Sequence, residues 1–241
     1  MQLAGKTILV TGGTDGIGAE LIRQLRDKGA AVVTSGRTAE RIAATREAGF
    51  EVIDADLATK DGVEALLRAV EGRSIDVLVN NAGAGVEHDF RNPGFPDIDA
   101  ADRTVFLNLN APIRLIAALM PMLKSRPEAM IVNVTSGLAI APRSGGPVYC
   151  ATKAALRSYG QAIRHQLRGT RVHLLEALPP VVETKMTAAR TQRKMPPEEC
   201  ARQIIRGMER GADQVNVGIV KLLSAVHSLS PALARRIMIN F

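Results

Sequence analysis

The sequence contains no tryptophan, and aromatic residues make up only 3% of its 241 positions. Its core must therefore be aliphatic, and stacking of bases on interleaved aromatics is excluded as a route to nucleic-acid binding. Cysteine is nearly as scarce. Cys150 and Cys200 are the only two, which gives neither a disulfide framework nor a metal-binding spacing and suits a reducing, cytoplasmic setting. No apolar run approaches the ~18 residues of a membrane span. The first apolar stretch, Ile8-Leu9-Val10, is too short for a signal peptide and runs straight into glycines. Internal repeats and low-complexity tracts are also missing.

What is present is aliphatic and mildly basic. Hydrophobic residues form 46% of the chain, enough to bury a full core, and Val, Ile, Leu and Ala dominate, as buried parallel strands prefer. The net charge of +7 would suit nucleic acid or an anionic membrane, but Lys and Arg are scattered. The charge reads as solvated surface that assists an anionic cofactor. The length fits one large α/β domain or two small ones, and unbroken strand–helix alternation selects one, residues 1–241, with about seven parallel strands in a doubly wound sheet.

The chemistry centres on Tyr149-Cys150-Ala151-Thr152-Lys153. Residues four apart on a helix share a face, one turn apart. A phenol ordinarily ionises near pH ~10, and a neighbouring ammonium favours the phenolate. The pair is a candidate proton donor and acceptor near neutral pH; alone, it is a weak signal and reads first as a surface pair. Its company changes that. Thr11-Gly12-Gly13-Thr14-Asp15-Gly16-Ile17-Gly18 follows a strand at Lys6–Val10 and opens a helical stripe of Ile17, Leu21, Ile22 and Leu25 that Gly29 stops. Strand, glycine turn and helix form the context in which backbone N–H groups and a helix N-terminus bind a pyrophosphate. The spacing is Gly-x-x-x-Gly-x-Gly rather than the common Gly-x-Gly-x-x-Gly, and a tight connection is the plain alternative.

A second strand, Ala30–Ser35, ends at Gly36-Arg37. An acid at that strand end would bind a ribose 2′-hydroxyl, whereas Arg37 suits a 2′-phosphate; a solvated surface arginine is the other reading. A third strand, Phe50–Asp54, leads to Asp56-Leu57, where the carboxylate is placed either to accept from an adenine amino group or to cap the helix starting near Thr59. The fourth strand, Ile75–Val79, delivers Asn80-Asn81-Ala82-Gly83, whose small residues allow close approach to a cofactor and whose asparagines can pin strand ends.

Gly85–Pro96 is loop-like, with Pro93 and Gly94. A helix is expected from about Ala100 to Leu123 with Pro112 inside it. Proline cannot donate to the carbonyl four residues earlier, that of Asn108, which gives either a kink or an ordered water on Asn108 that feeds protons inward. A fifth strand, Met130–Thr135, carries Ser136 at its carboxyl end, thirteen residues before Tyr149. The helix with Tyr149 runs from Val148 to Leu167. A sixth strand, Arg171–Leu178, ends at Pro179-Pro180. Lys185–Pro197 reads as a lid over a pocket or a loose surface connection. A short last strand spans Gln214–Gly218. The apolar, basic tail Ile219–Phe241 would pack on the core or on a partner subunit, with a membrane surface as the alternative.

Taken together, Thr11-Gly12…Gly16-Ile17-Gly18, Asn80-Asn81-Ala82-Gly83, Asn108, Ser136 and Tyr149…Lys153 resemble the short-chain dehydrogenase/reductase family from Lys6 to about Thr184. The resemblance implies a Rossmann fold, a nicotinamide cofactor and a homodimer or homotetramer. It makes Tyr149 the acid in reduction and the base in oxidation, with Lys153 lowering its pKa and holding the nicotinamide ribose. Ser136 would hydrogen-bond the substrate oxygen, and Asn108 would hold the water linking Lys153 to solvent. Gly12, Thr14, Asp15, Gly16, Ile17 and Gly18 would line the pyrophosphate and ribose. Asp56 and Leu57 would line the adenine, Asn81, Ala82 and Gly83 the adenosine side, and Pro179, Val182 and Thr184 the nicotinamide. Two departures stand out: Pro179-Pro180 where many members have Pro-Gly, and Asp15 where some NADP-using members have a basic residue. Cys150 reads as a packing residue rather than a redox thiol.

The expectation is a cytoplasmic NADP(H)-dependent oxidoreductase, with NAD(H) possible, that interconverts a small carbonyl and a secondary alcohol and takes no metal and no nucleic acid. A catalytically retired nucleotide sensor on the same fold is the alternative. Gly85–Pro96, Leu138–Val148 and Lys185–Pro197 would wall the substrate pocket, and the apolar composition points towards an aliphatic or ring ketone.

Overall fold

Every apolar run read as a strand forms one, with ends shifted by a residue or two. The computed structural model describes residues 1–87, 89 and 97–241. Its strands are β1 (Thr7–Val10), β2 (Ala31–Gly36), β3 (Glu51–Asp54), β4 (Val77–Asn80), β5 (Ala129–Val134), β6 (Val172–Leu178) and β7 (Gln214–Asn216). They form one sheet in the order β3-β2-β1-β4-β5-β6-β7, and every pairing is parallel. This is the doubly wound Rossmann order, with β7 added at one edge.

The central strands β1, β4 and β5 are almost wholly buried because both sheet faces are covered. Successive side chains point to opposite faces, so each strand feeds two cores. Leu9, Leu78, Ile131 and Leu174 join one cluster; Ile8, Val10, Val77, Val79, Val132 and Leu175 join the other. The first cluster is closed by α3 (Lys60–Ala69), α5 (Ala111–Ser125) and α6 (Pro147–Gln166), and the second by α1 (Gly16–Asp27) and α7 (Pro197–Arg210). The remaining helices are α2 (Ala39–Glu47), α4 (Ile98–Val105), α8 (Val220–Leu229) and α9 (Pro231–Met238).

Two expectations need correction. The helix around Pro112 does not simply lose one hydrogen bond. Between α4 and α5 the ladder widens to a π turn over Phe106–Asn110, and the Ala111 amide donates to the Phe106 carbonyl. Pro112 then falls in the first turn of α5, where a missing amide is tolerated. The second correction concerns membrane length. Ile98–Ser125 holds an 18-residue window of mean hydropathy 1.4, so by length and composition it could cross a membrane. One side of it packs on the sheet: Leu107, Leu115, Ile116, Leu119 and Leu123 are buried in one of the two clusters, and 39% of the window is buried. Of the loop expected at Gly85–Pro96, residues 88 and 90–96, with Pro93 and Gly94 among them, lie outside the described residues.

The tail meets its expectation on one side only. Val220 and Ala234 are buried, and the Ser144 amide donates to the Ile239 carbonyl over 2.9 Å. The outer side of α8 and α9 is open and mixes apolar and basic residues, with Ile219, Leu222, Leu229 and Ile237 exposed beside Lys221, Arg235 and Arg236.

Candidate active site

The glycine turn folds against the end of β4. The Thr11 hydroxyl accepts from the amides of Asn81 and Ala82, each at 3.0 Å. The Asn81 side chain donates back to the carbonyls of Thr11, at 3.0 Å, and Gly12, at 3.2 Å. This reciprocal clamp ties the carboxyl ends of β1 and β4 together at the point where the strand order reverses. Gly18 lies at its tightest place: a Cβ there would stand 2.1 Å from the Gly12 carbonyl oxygen and 2.5 Å from the Asn81 amide nitrogen. Only hydrogen fits. The helix behind the turn therefore packs close on the strand ends, and Gly16, Ile17 and Gly18 of its first turn line the cleft.

The π turn supplies the next layer. Asn108 is fully buried, and its side chain grips Ala84. Oδ1 accepts from the Ala84 amide at 2.9 Å, while Nδ2 donates to the Ala84 carbonyl at 2.8 Å and to the Thr152 hydroxyl at 3.1 Å. Asn108 thus lies behind the cleft and joins the loop after β4 to α6. At Gly83, a Cβ would lie 3.2 Å from Asn108 Oδ1 and 3.4 Å from Lys153 Nζ, so amide and ammonium converge on one glycine.

Ser136, Tyr149 and Lys153 come together as their order implied. Ser136 follows β5, and its hydroxyl accepts from the Leu138 amide at 3.1 Å. It lies close enough to the Tyr149 hydroxyl to act on its ionisation. Lys153 is buried, and its Nζ donates to the Val134 carbonyl at 2.9 Å. Burial raises the Tyr149 phenol above its ordinary value; Ser136, then Arg190 and Arg143, act against that shift, and Cys150 adds to it. Lys153 was expected to lower the phenol and does not figure among these groups. Its nitrogen lies 5.7 Å from the ring centroid, and burial lowers its own pKa to about 8, so its positive charge is weakly held.

That shift has a consequence for stability. The folded protein binds fewer protons than the unfolded chain between pH 8 and 10.5, so the penalty for burying a charged Lys153 is full below this window and fades as pH rises through it. Lys153→Met is expected to stabilise the nucleotide-free protein at pH 7 by about 2 kcal/mol, the desolvation cost relieved less the bond lost by the Val134 carbonyl. The gain should shrink towards pH 10.5, as read by denaturant unfolding at both values.

At the other end of the cleft the charges are paired. Asp15 caps α1, accepting from the Gly16 amide at 2.9 Å, and pairs with Arg41 Nη1 at 2.9 Å. Asp56 does not cap α3; Thr59 does, accepting from the Gly62 amide. Asp56 instead accepts from the Ala58 amide, pairs with Arg103, and stands 3.7 Å from Arg37 Nη1. Burial opposes its ionisation, but Arg103, the Ala58 amide and Arg37 outweigh that and hold the carboxyl below its usual range. Arg37 remains 55% exposed, open to a further anionic partner.

The Pro179 carbonyl accepts from the Gly137 amide at 2.9 Å. Among the described residues no non-glycine has positive φ, so Pro180 is accommodated without left-handed backbone. Val182 is buried and forms a parallel bridge with Met195, which ties down both ends of the segment expected to act as a lid. Thr184 caps a short turn at Lys185–Thr187, and its Cγ2 would be 2.7 Å from a Cβ on Gly16. The segment therefore begins directly across from the glycine turn.

These residues line one cleft of about 430 Å³, a size suited to a small-molecule or cofactor site. Gly12, Thr14, Asp15, Gly16, Ile17 and Gly18 border it, as do Arg37, Asp56, Leu57, Asn81, Ala82 and Gly83. Ser136, Tyr149, Lys153, Pro179, Val182 and Thr184 complete the expected set, and Asn108 alone stands outside the lining. Sequence reasoning missed Arg41, which also lines the cleft; its place in the first turn of α2, four residues after Arg37, was the available signal. The shape tolerates backbone approach at Gly18, offers amides at the start of α1, and places a guanidinium beyond β2. A dinucleotide fits this donor set.

A family model described as short chain dehydrogenase matches residues 6–195. The uncharacterized oxidoreductase DltE of Bacillus subtilis is 37% identical over 225 residues, covering 89% of each chain. A serine 3-dehydrogenase of Agrobacterium fabrum is 34% identical over 192 residues, covering 77% of this chain and 75% of the other. Among solved structures, a short chain dehydrogenase from Burkholderia cenocepacia J2315 in complex with NADP superposes with a TM-score of 0.86 at 25% identity, covering 99% of both chains.

Proposed function

This chain belongs to the short chain dehydrogenase family, and from that premise we propose that it is an NADP(H)-dependent oxidoreductase interconverting a carbonyl and a secondary alcohol. The observation that carries the reading is the opening of Ser136, Tyr149 and Lys153 into the cleft that the glycine turn borders. The α1 amides would hold the pyrophosphate, Arg37 the 2′-phosphate, and Lys153 the nicotinamide ribose. When bound, the nicotinamide supplies or accepts the hydride.

The remaining work falls to the chain's own groups. Ser136 donates to the substrate oxygen where negative charge develops. Tyr149 gives its phenolic proton to that oxygen in reduction and takes it back in oxidation. A phenol with a raised pKa is kept protonated, the state reduction requires. Lys153 lies beside Asn108, and an ordered water held near Asn108 would pass a proton from solvent to the lysine. Val182 and Thr184 close the nicotinamide side, and the lid keeps water from the reacting carbon.

The reading includes a homodimer or homotetramer in the cytoplasm. The exposed apolar residues of α8 and α9 support the assembly, and two unpaired cysteines suit a reducing compartment. A panel of carbonyl compounds mixed with the protein and NADPH should show loss of the reduced cofactor for at least one class. Tight NADPH binding with no oxidation across the panel would sink the reading.

A further inference from the structure

Each of the three loops expected to wall the substrate pocket contributes one charged side chain to a single cluster. Glu87 comes from the loop after β4, Arg143 from the loop between Ser136 and Tyr149, and Arg190 from the lid. Arg143 Nη2 pairs with Glu87 Oε1, and Arg190 Nη2 stands 3.9 Å from the same oxygen. Among the described residues two guanidiniums share the Glu87 carboxylate, which gives these three side chains a formal excess of one positive charge.

The cations are built in, and the anion is not. The side chains of Arg143 and Arg190 are 11% and 21% exposed, against 69% for Glu87. Arg143 lies flat on its own loop: a Cβ on Gly145 would stand 2.6 Å from its Nη1, so the glycine there makes room for the guanidinium. Its Nε is buried without a partner. The loop holding Glu87 passes against the catalytic phenol, since a Cβ on Gly85 would be 3.7 Å from Tyr149 Cδ2. The lid adds Lys185, Arg193 and Lys194 and contains no acid from Lys185 to Pro197. Burying two like charges costs free energy unless they meet an anion, and Glu87, at 69% exposed, offsets that cost only partly.

We infer that Arg143 and Arg190 form an anion-binding subsite beside Tyr149, and that the substrate is an oxo acid or hydroxy acid whose carboxylate occupies it. The inference rests on the oxidoreductase reading above and narrows it; it replaces the neutral ketone suggested by composition. The planar fork of a guanidinium matches a carboxylate in geometry and charge. The substrate carboxylate takes over the contact that Glu87 makes with Arg190, which fixes the carbonyl relative to Ser136 and Tyr149. The two arginines also act on the ionisation of Tyr149, which agrees with their nearness to the reacting oxygen. They are specificity residues and leave the chemical step to the phenol.

The test compares oxo acids with their methyl esters, using the full-length protein and NADPH. Wild-type kcat/KM should favour the acid by about tenfold or more, the worth of a charge-assisted hydrogen bond. Arg190→Gln should lower the acid-to-ester ratio by a similar factor through KM, and Arg190→Lys should restore part of it. Glu87→Gln removes the competing carboxylate and should raise kcat/KM for the acid. A merely structural role for the ion pair gives the opposite sign, so this variant separates the two. An acid-to-ester ratio near one in the wild type, or one unmoved by Arg190→Gln, overturns the subsite while ester turnover leaves the oxidoreductase reading intact. Failure to turn over any acid, ester or simple ketone overturns both.

Discussion

Tyr149→Phe is expected to lower kcat by about two to four orders of magnitude, the usual worth of a positioned proton donor, with little change in NADPH affinity. The ring stays, so its contact with the Gly85 loop stays. What is lost is one hydroxyl, its polar interaction with Ser136, and the proton that the substrate oxygen needs. Ser136 alone cannot replace it, because an aliphatic hydroxyl is a poor acid near neutral pH. Stopped-flow mixing of the variant with NADPH and a carbonyl substrate separates the two effects, as cofactor fluorescence reports binding and its disappearance reports turnover. A variant that retains wild-type turnover would remove Tyr149 from the chemistry and the proposed mechanism with it.

Arg37→Asp is expected to reverse cofactor preference, shifting the NADPH-to-NADH affinity ratio by about two to three orders of magnitude. Losing charge-assisted bonds to a 2′-phosphate accounts for roughly ten- to a hundredfold, and a carboxylate facing that phosphate adds repulsion. The local charges sharpen the effect. Asp56 stands 3.7 Å from Arg37, so the variant places two carboxylates side by side, with Arg103 left to neutralise one of them. Arg41 stays tied to Asp15 and is poorly placed to compensate. The same carboxylate could accept from a ribose 2′-hydroxyl, so NADH binding should improve. Equilibrium titration with both cofactors measures the ratio; an unchanged value would return Arg37 to the solvated surface.

The parts of the site legible in the sequence are those that depend on neighbours along the chain. The glycine turn, the Tyr149–Lys153 step and the strand-end position of Ser136 each follow from a local period or spacing. Pro112 signalled a disturbed helix but not its form. Whether a ladder kinks or widens depends on what the helix packs against, and here the π turn directs Asn108 towards Ala84 and Thr152. Asp56 was readable as either cap or ligand, and Thr59 took the cap because it stands three residues before the amide it accepts from.

The sequence by itself determined the strands, the helices and the aliphatic core they bury, because local hydrophobic periods dictate which positions face inward, and the order of its motifs marked the candidate site residues. Only the tertiary structure decided which charges meet. Asp15 finds Arg41, Asp56 finds Arg103, and Arg143 and Arg190 share Glu87, all from segments with no period to read. It also decided the proton affinity of Lys153, set by burial once crossover connections bring α6 against the end of β5. Side chains dozens of residues apart acquire an electrostatic environment only when the chain between them has folded, and no local spacing encodes that distance.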